Sequence, residues 1–278
     1  MLSSAPLILD NIRSALATKS FGQQLHLHQE LASTNPEALV LAHAGAPHGT
    51  VVVAEYQSAG RGRRLRHWYS PPRANLYCSV IVHGIGSTCT RSEWLSWVPL
   101  VSALAVAEAV YTTTSVSLSL KWPNDLLFQE RKVGGILCES TQISTETPIV
   151  VIGIGLNINM PAESFPEELR QTATSLHIIS RRVIDRNTLL AQLLLELEQR
   201  LDELRAEGTD RLRHAYASRC GTLGRHVRLL LDDAQELLGT AESIGADGAL
   251  QVRPHPPASE TQIPPLLDIR AADVIHLR

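Results

Sequence analysis

From about Gly221 onward helical periodicity stops, and only short strand-like runs remain. Candidate strands fall at 227–231, 239–244, 249–252 and 274–277. They are separated by Asp232-Asp233, by Ala246-Asp247-Gly248 and by a proline-rich stretch over 254–265. Short β-branched runs broken by turn residues specify a small all-β unit. The preceding residues read differently, as strands interleaved with helices. A short helix is expected over 7–18 and an alternating strand over 23–29. Further strands are expected over 50–56, 76–82, 116–120, 126–128, 133–139 and 149–154. Long helices are expected over 93–111 and from a cap near Asn187, where Leu189, Leu190, Leu193, Leu194, Leu197, Leu201 and Leu204 make one apolar face. A further helix is expected over 210–218. The chain therefore reads as a mixed α/β unit followed by a small all-β barrel.

Size and composition agree with an ordinary globular protein. The 278 residues suit one large unit and one small one, and 44% hydrophobic with 19% charged residues can build a core without staples. Cys78, Cys89, Cys138 and Cys220 are far apart and show no metal-ligand spacing, which points to reduced thiols and the cytoplasm. The N-terminus lacks a basic-then-apolar secretory layout, and no run of 18 apolar residues occurs, so a soluble protein without a membrane partner is expected. A net charge of −3 gives no global pull toward nucleic acid.

Local charge is more informative. Gly60-Arg61-Gly62-Arg63-Arg64-Leu65-Arg66-His67-Trp68 sets guanidinium groups, which grip phosphate or carboxylate in a fork, on a backbone whose glycines turn tightly. Alone, this stretch fits a closing loop over an anion, a solvated basic loop or a nucleic-acid patch. Lys121-Trp122-Pro123-Asn124-Asp125 and Lys132-Val133-Gly134-Gly135-Ile136-Leu137 sit at strand ends around a charged turn, so Lys121, Asp125 and Lys132 can converge on one cleft. A lysine there would offset charge growing on a phosphoryl oxygen. The plain alternative is a hairpin with an Asn-Asp corner and a solvated loop lysine, which the double glycine weakens, because glycine inside a strand often marks close backbone approach by a ligand. Gly153-Ile154-Gly155-Leu156-Asn157 follows a strand, but Ile158 replaces the third glycine of a dinucleotide fingerprint and Pro161 follows instead of a helix. Ser33, Thr34 and Asn35 precede a helix in which Thr34 and Glu37 have capping-box spacing. They either cap that helix or recognise a neutral polar head group.

The order of these segments along one chain resembles the signature series of the biotin–protein ligases. Ser33-Thr34-Asn35, then residues 54–64, then Lys121–Asp125, Lys132–Leu137 and Gly153–Asn157 carry the likeness, which spans roughly Leu25 to the C-terminus. The resemblance implies an α+β fold: a catalytic domain with a mixed β-sheet and helices, of the class II synthetase and biotin ligase kind, at 1–220, and an SH3-like β-barrel at 221–278. It implies that biotin and ATP, with Mg2+, give biotinyl-5′-AMP and pyrophosphate, and that biotin then passes to a lysine of a biotin carboxyl carrier protein or the carrier domain of acetyl-CoA carboxylase. By motif position, Ser33, Thr34, Asn35, Gln57, Arg61, Gly62, Arg63, Lys132 and Gly135 would meet biotin. Arg63, Arg66, Trp68, Asn124 and Asn157 would meet the nucleotide. Lys132, Arg63 and Arg61 would be the catalytic residues. Asp125 would position Lys132, bind magnesium, assist the incoming amine, or serve as a turn corner; no metal ligands are assigned.

Two departures from the family pattern matter. Leu65 stands where glycine is typical, which should stiffen the loop. About 32 residues precede Ser33, too few for the DNA-binding module of some relatives, so no repressor function and no DNA partner are expected. The resemblance leaves both monomer and homodimer open. A lipoate- or octanoate-attaching enzyme and a non-catalytic sensing or nucleic-acid-binding module are the rival readings.

Overall fold

The structure, a computed structural model, describes residues 5–84, 90–141, 148–231, 235–255 and 264–277. Cys89, Asp232-Asp233 and most of the expected proline-rich connection lie outside the described residues.

Seven strands form the first sheet: β1 (Leu25–His28), β2 (Val51–Ala54), β3 (Leu76–His83), β4 (Ser119–Lys121), β5 (Asp125–Phe128), β6 (Arg131–Thr141) and β7 (Ile149–Leu156). Their order is β1-β2-β3-β7-β6-β5-β4. Only β1 and β2 run parallel; the other pairs are antiparallel, so the sheet is mixed.

Alternation along the central strands places apolar residues on both faces. Val51, Val53, Cys78, Val80, Ile152 and Ile154 join the main core with helices α3 (Arg91–Thr114) and α5 (Arg186–Glu207). Val52, Ile81, Ile149 and Val151 face the other way and meet Ala38 and Ala42 of α2 (Thr34–His43). All seven stripe leucines of α5 are buried, as its spacing predicts. Helix α3 is long and apolar enough to cross a membrane by length and composition, yet 67% of its most apolar window is buried here. It is a core helix.

A second, five-stranded antiparallel sheet contains β8 (His226–Leu230), β9 (Glu236–Ile244), β10 (Leu250–Pro254), β11 (Leu267–Ile269) and β12 (Asp273–His276) in the order β11-β10-β9-β8-β12. Its core residues Val227, Leu229, Ala241, Leu250 and Val252 belong to the same apolar cluster as the first sheet. Indole donors stitch the junction: Trp97 Nε1 donates to the Ala246 carbonyl at 2.7 Å and Trp122 Nε1 to that of Gly248 at 3.1 Å.

Several local expectations shift. The helix expected over 7–18 covers Leu9–Ala15. The strand expected from 116 begins at Ser119, because α3 ends on Ser115 in a left-handed conformation and the next residues cross over to the sheet. Helix α5 is capped by Asp185, whose carboxylate accepts from the Asn187 amide, so Asn187 is inside the helix. The Thr34–Glu37 capping box is not formed: Ser33 is the N-cap, and the Thr34 hydroxyl bonds elsewhere. A capping box forms instead at Thr90 and Glu93. Strand β11 and the short helix α4 (Leu176–Ser180) have no counterpart in the sequence reading.

Candidate active site

Every residue assigned by motif position to biotin, the nucleotide or catalysis lines one cavity of about 560 Å³. It lies where the ends of β6 and β7, the start of α2, the arginine loop and β12 come together.

One side is a buried polar chain. Gln57 Oε1 accepts from the Thr34 amide at 2.9 Å and the Thr34 hydroxyl at 3.3 Å, while Gln57 Nε2 donates to Ser70 Oγ at 2.9 Å. Ser79 Oγ lies 2.8 Å from Thr34 Oγ1 and 2.6 Å from Asn35 Oδ1. Asn35 Nδ2 donates to the Leu137 carbonyl at 3.1 Å and to Glu139 at 2.7 Å. Ser33, Thr34, Asn35 and Gln57 are each at most 7% exposed. Polar groups at that depth are held by these bonds in fixed orientations, which suits recognition of a neutral hydrogen-bonding head group. The Thr34 hydroxyl is committed to this chain, which is why it does not cap α2.

The other side is cationic. Glu139 pairs with Arg61 Nη2 at 3.2 Å, so the polar chain ends on the arginine loop. Arg63 Nη1 donates to Asn124 Oδ1 at 3.1 Å, and Asn124 Nδ2 donates to the Ile136 carbonyl at 2.8 Å. Lys132 Nζ lies 2.6 Å from Asp125 Oδ1 and 5.4 Å from the centroid of the Trp68 ring. Lys121 lines the same space; burial pushes its ammonium below the usual lysine range, with Asp125 opposing and Lys132 adding to the drop. The hairpins β4–β5 and β5–β6 bring Lys121, Asp125 and Lys132 together, as their spacing predicts. Gly62 sits mid-loop, its amide donating to the Arg66 carbonyl at 2.7 Å, and Asn157 is buried at the end of β7, donating to the Thr174 carbonyl at 3.1 Å. Arg66 lines the same cavity, its guanidinium paired with Asp273 on the second sheet.

Three glycines make room for this arrangement. A Cβ on Gly153 would meet Asn35 Oδ1 at 2.2 Å, and one on Gly155 would meet the Trp68 ring at 2.6 Å. Contacts that close do not occur between real side chains. At Gly135 a Cβ would reach Lys132 Cε at 3.3 Å, so Lys132 lies along the bare backbone there. Trp68 Nε1 is buried without a hydrogen-bond partner among the described residues.

Sequence reasoning missed Gly153 and Gly155 in this role, along with Ser79, Ser70, Glu139 and Asp273. The Gly-x-Gly run on a strand was the one usable signal; the partners come from distant segments.

The donor set does not fit a metal held by the protein alone. Asp125 is taken up by Lys132, and no group of three or more His, Cys, Asp or Glu side chains gathers for a metal among the described residues.

The comparisons with known proteins agree with this geometry. The biotin/lipoate A/B protein ligase family matches residues 30–157. A biotin–[acetyl-CoA-carboxylase] ligase of Mycobacterium tuberculosis is 35% identical over 278 residues, covering 98% of this chain and 97% of that protein. This chain belongs to the biotin protein ligase family. A second member, the bifunctional ligase/repressor BirA of Bacillus subtilis, is 34% identical over 238 residues, covering 85% of this chain and 70% of the relative. Among solved structures, the biotin protein ligase of Aquifex aeolicus in complex with biotin and ATP superposes with a TM-score of 0.74 at 29% identity, covering 92% of this chain and 99% of that one. A biotin protein ligase has two reactants to seat, and the cavity has two chemically distinct halves.

Proposed function

We propose that this chain is an ATP-dependent biotin–protein ligase. It joins biotin to ATP as biotinyl-5′-AMP, releases pyrophosphate, and passes the biotinyl group to a lysine of a biotin carboxyl carrier protein or of an acetyl-CoA carboxylase carrier domain. The observation that carries this reading is a cavity whose buried neutral chain, Gln57–Thr34–Ser79–Asn35, ends at the cations Arg61, Arg63 and Lys132.

In this reading the neutral chain, with Ser33, receives the uncharged ring end of biotin. Its carboxylate then falls between Arg61, Gly62, Arg63 and Lys132, beside Gly135. A carboxylate oxygen must attack a phosphorus that already carries negative charge. The guanidinium and ammonium groups offset that repulsion and stabilise the added charge on the phosphoryl oxygens. The new bond joins carboxylate oxygen to the α-phosphorus, and the bond to pyrophosphate breaks. Trp68, Asn124 and Asn157 bound the nucleotide side. Asp125 positions Lys132. Magnesium would come with the nucleotide rather than from protein ligands and would offset charge on its phosphates.

In the second half-reaction the neutral amine of the carrier lysine attacks the acyl carbon of the anhydride and AMP departs. Until then a closed arginine loop keeps water from the anhydride.

Residues 1–220 are assigned to the catalytic unit and 221–278 to an SH3-like barrel, an assignment supported by the all-antiparallel second sheet. A cytoplasmic location is supported by the unpaired thiols of Cys78, Cys138 and Cys220.

The test is exchange of labelled pyrophosphate into ATP. It should depend on biotin and not be supported by lipoate or octanoate. Exchange with lipoate alone would move the chain to the lipoate-attaching rival.

A further inference from the structure

The arginines of the loop face two ways. Arg61 and Arg63 reach Glu139 and Asn124 at the cavity wall. Arg64 and Arg66 reach across to the second sheet. Arg64 Nη1 lies 3.3 Å from Asp273 Oδ2, and Arg66 pairs with the same carboxylate oxygen. Arg64 Nη2 also donates to the Leu230 carbonyl at 3.1 Å. Asp273 and Leu230 are cross-strand partners on β12 and β8, so one rung of that sheet holds Arg64 at both of its ends. The neighbouring Ala272 carbonyl accepts from Arg63 at 3.4 Å.

The loop between these anchors is strained. Arg64 and Leu65 have φ of 52° and 60°, a left-handed pair of non-glycine residues. Leu65 is 92% exposed and gains nothing from burial. What holds this backbone must therefore come from its flanks, and there the Asp273 carboxylate pairs with two of the loop's arginines, Arg64 and Arg66. That group is only 12% exposed, where charge-assisted bonds are stronger than at an open surface.

We propose that Asp273 is a positioning residue: from the C-terminal sheet it latches Arg64 and Arg66 and so holds the arginine loop closed over the cavity. The role of the latch in catalysis rests on the ligase reading above; its existence does not. With the latch in place, Arg61 and Arg63 are presented to the reactants. Without it, the strained turn relaxes, the loop opens, and the nucleotide and the acyl-adenylate are held less well. The second sheet thus becomes part of the reaction machinery without touching a reacting atom.

The experiment uses the full chain and two arms. The first is amide hydrogen exchange without substrates, read at Gly62, Arg66 and Trp68, whose amides donate to the carbonyls of Arg66, Arg63 and Gly60. Asp273→Asn and Arg64→Gln should each exchange roughly tenfold faster there than the parent, with Asp273→Glu close to the parent. Equal exchange in all four proteins overturns the latch, whatever the chain catalyses. If Asp273→Asn fails to fold, Arg64→Gln decides alone, because its substitution lies on the loop. The second arm measures ATP–pyrophosphate exchange and escape of the acyl-adenylate. Both loosened variants should show a severalfold higher KM for ATP, faster escape and a lower kcat that Asp273→Glu restores, since Arg61 and Arg63 are no longer held at the reacting groups. Faster amide exchange with unaltered KM and escape would overturn the positioning role. A parent enzyme without biotin-dependent activity would instead sink the ligase reading and leave the first arm to judge the latch.

Discussion

The Lys132 ammonium lies 2.6 Å from the Asp125 carboxylate across the β5–β6 hairpin. The pair packs along Gly135, where a Cβ would come within 3.3 Å of Lys132 Cε and 3.6 Å of Asp125 Oδ1. Asp125 fixes the direction of a charge that would otherwise sweep through many rotamers.

Replacing Lys132 by alanine removes that charge from the reacting phosphorus. Adenylate formation should fall about 10²–10³-fold, as for loss of one transition-state donor, with biotin affinity lowered far less. Asp125→Asn should show a smaller loss in the same direction. Pyrophosphate release and equilibrium binding of biotin measure the two terms separately. Near-normal release by Lys132→Ala would remove this residue from the mechanism.

Gly153 and Gly155 separate the two halves of the site. In Gly153→Ala the new methyl meets Asn35, which cannot retreat because its amide is tied to Leu137 and Glu139. Biotin affinity should drop by about tenfold or more, given overpacking costs of roughly 1–3 kcal/mol. In Gly155→Ala the methyl meets the Trp68 ring, so the KM for ATP should rise instead. Calorimetric titration of each variant with biotin, beside its nucleotide kinetics, checks the split.

Leu65→Gly should not destabilise the protein. A left-handed leucine costs about 1–2 kcal/mol, which roughly offsets or exceeds the extra chain entropy of glycine, and no buried surface is lost. Leu65→Val should be less stable, since β-branching fits a positive φ poorly. Chemical denaturation of the three proteins orders them. The loop thus tolerates leucine at the position where the sequence reading expected stiffening, by adopting the backbone a glycine would favour.

Acid should weaken the fold through His48. Burial, then the nearby Arg205 charge and His83, push its imidazole from 6.5 down to about 4. Its Nδ1 accepts from the His83 amide at 3.0 Å and so must be unprotonated. Between those values the unfolded chain binds the extra proton and the native one does not. The His48 share of stability should therefore fall as pH drops from 6.5 toward 4 and level off below that. Urea midpoints at pH 7 and 4.5 measure the slope, and His48→Asn, which keeps an acceptor but cannot titrate there, should flatten it.

What could be read from the sequence was local. Lys121, Asp125 and Lys132 were legible because two tight hairpins carry them, and the α5 leucines because their spacing repeats. Contacts between distant segments were not. Nothing in the local pattern ties Gly153 to Asn35 or Asp273 to Arg64. Nor does it reveal the buried Glu55–Arg186 pair, 131 residues apart at 2.7 Å, which also anchors the Leu7 amide. Thr34 had the spacing of a cap, but its hydroxyl is drawn into the buried chain with Gln57 and Ser79. Strand β11 has only three residues, preceded by Pro264 and Pro265, too short to show alternation.

Intact mass of a biotin carboxyl carrier domain, incubated with the full chain, ATP, magnesium and biotin, tests the central claim most directly. The account predicts one added biotinyl group on a carrier lysine, with no gain when ATP is withheld or Lys132 is alanine. An unchanged carrier mass, with biotin bound by the chain but no pyrophosphate released, would contradict it.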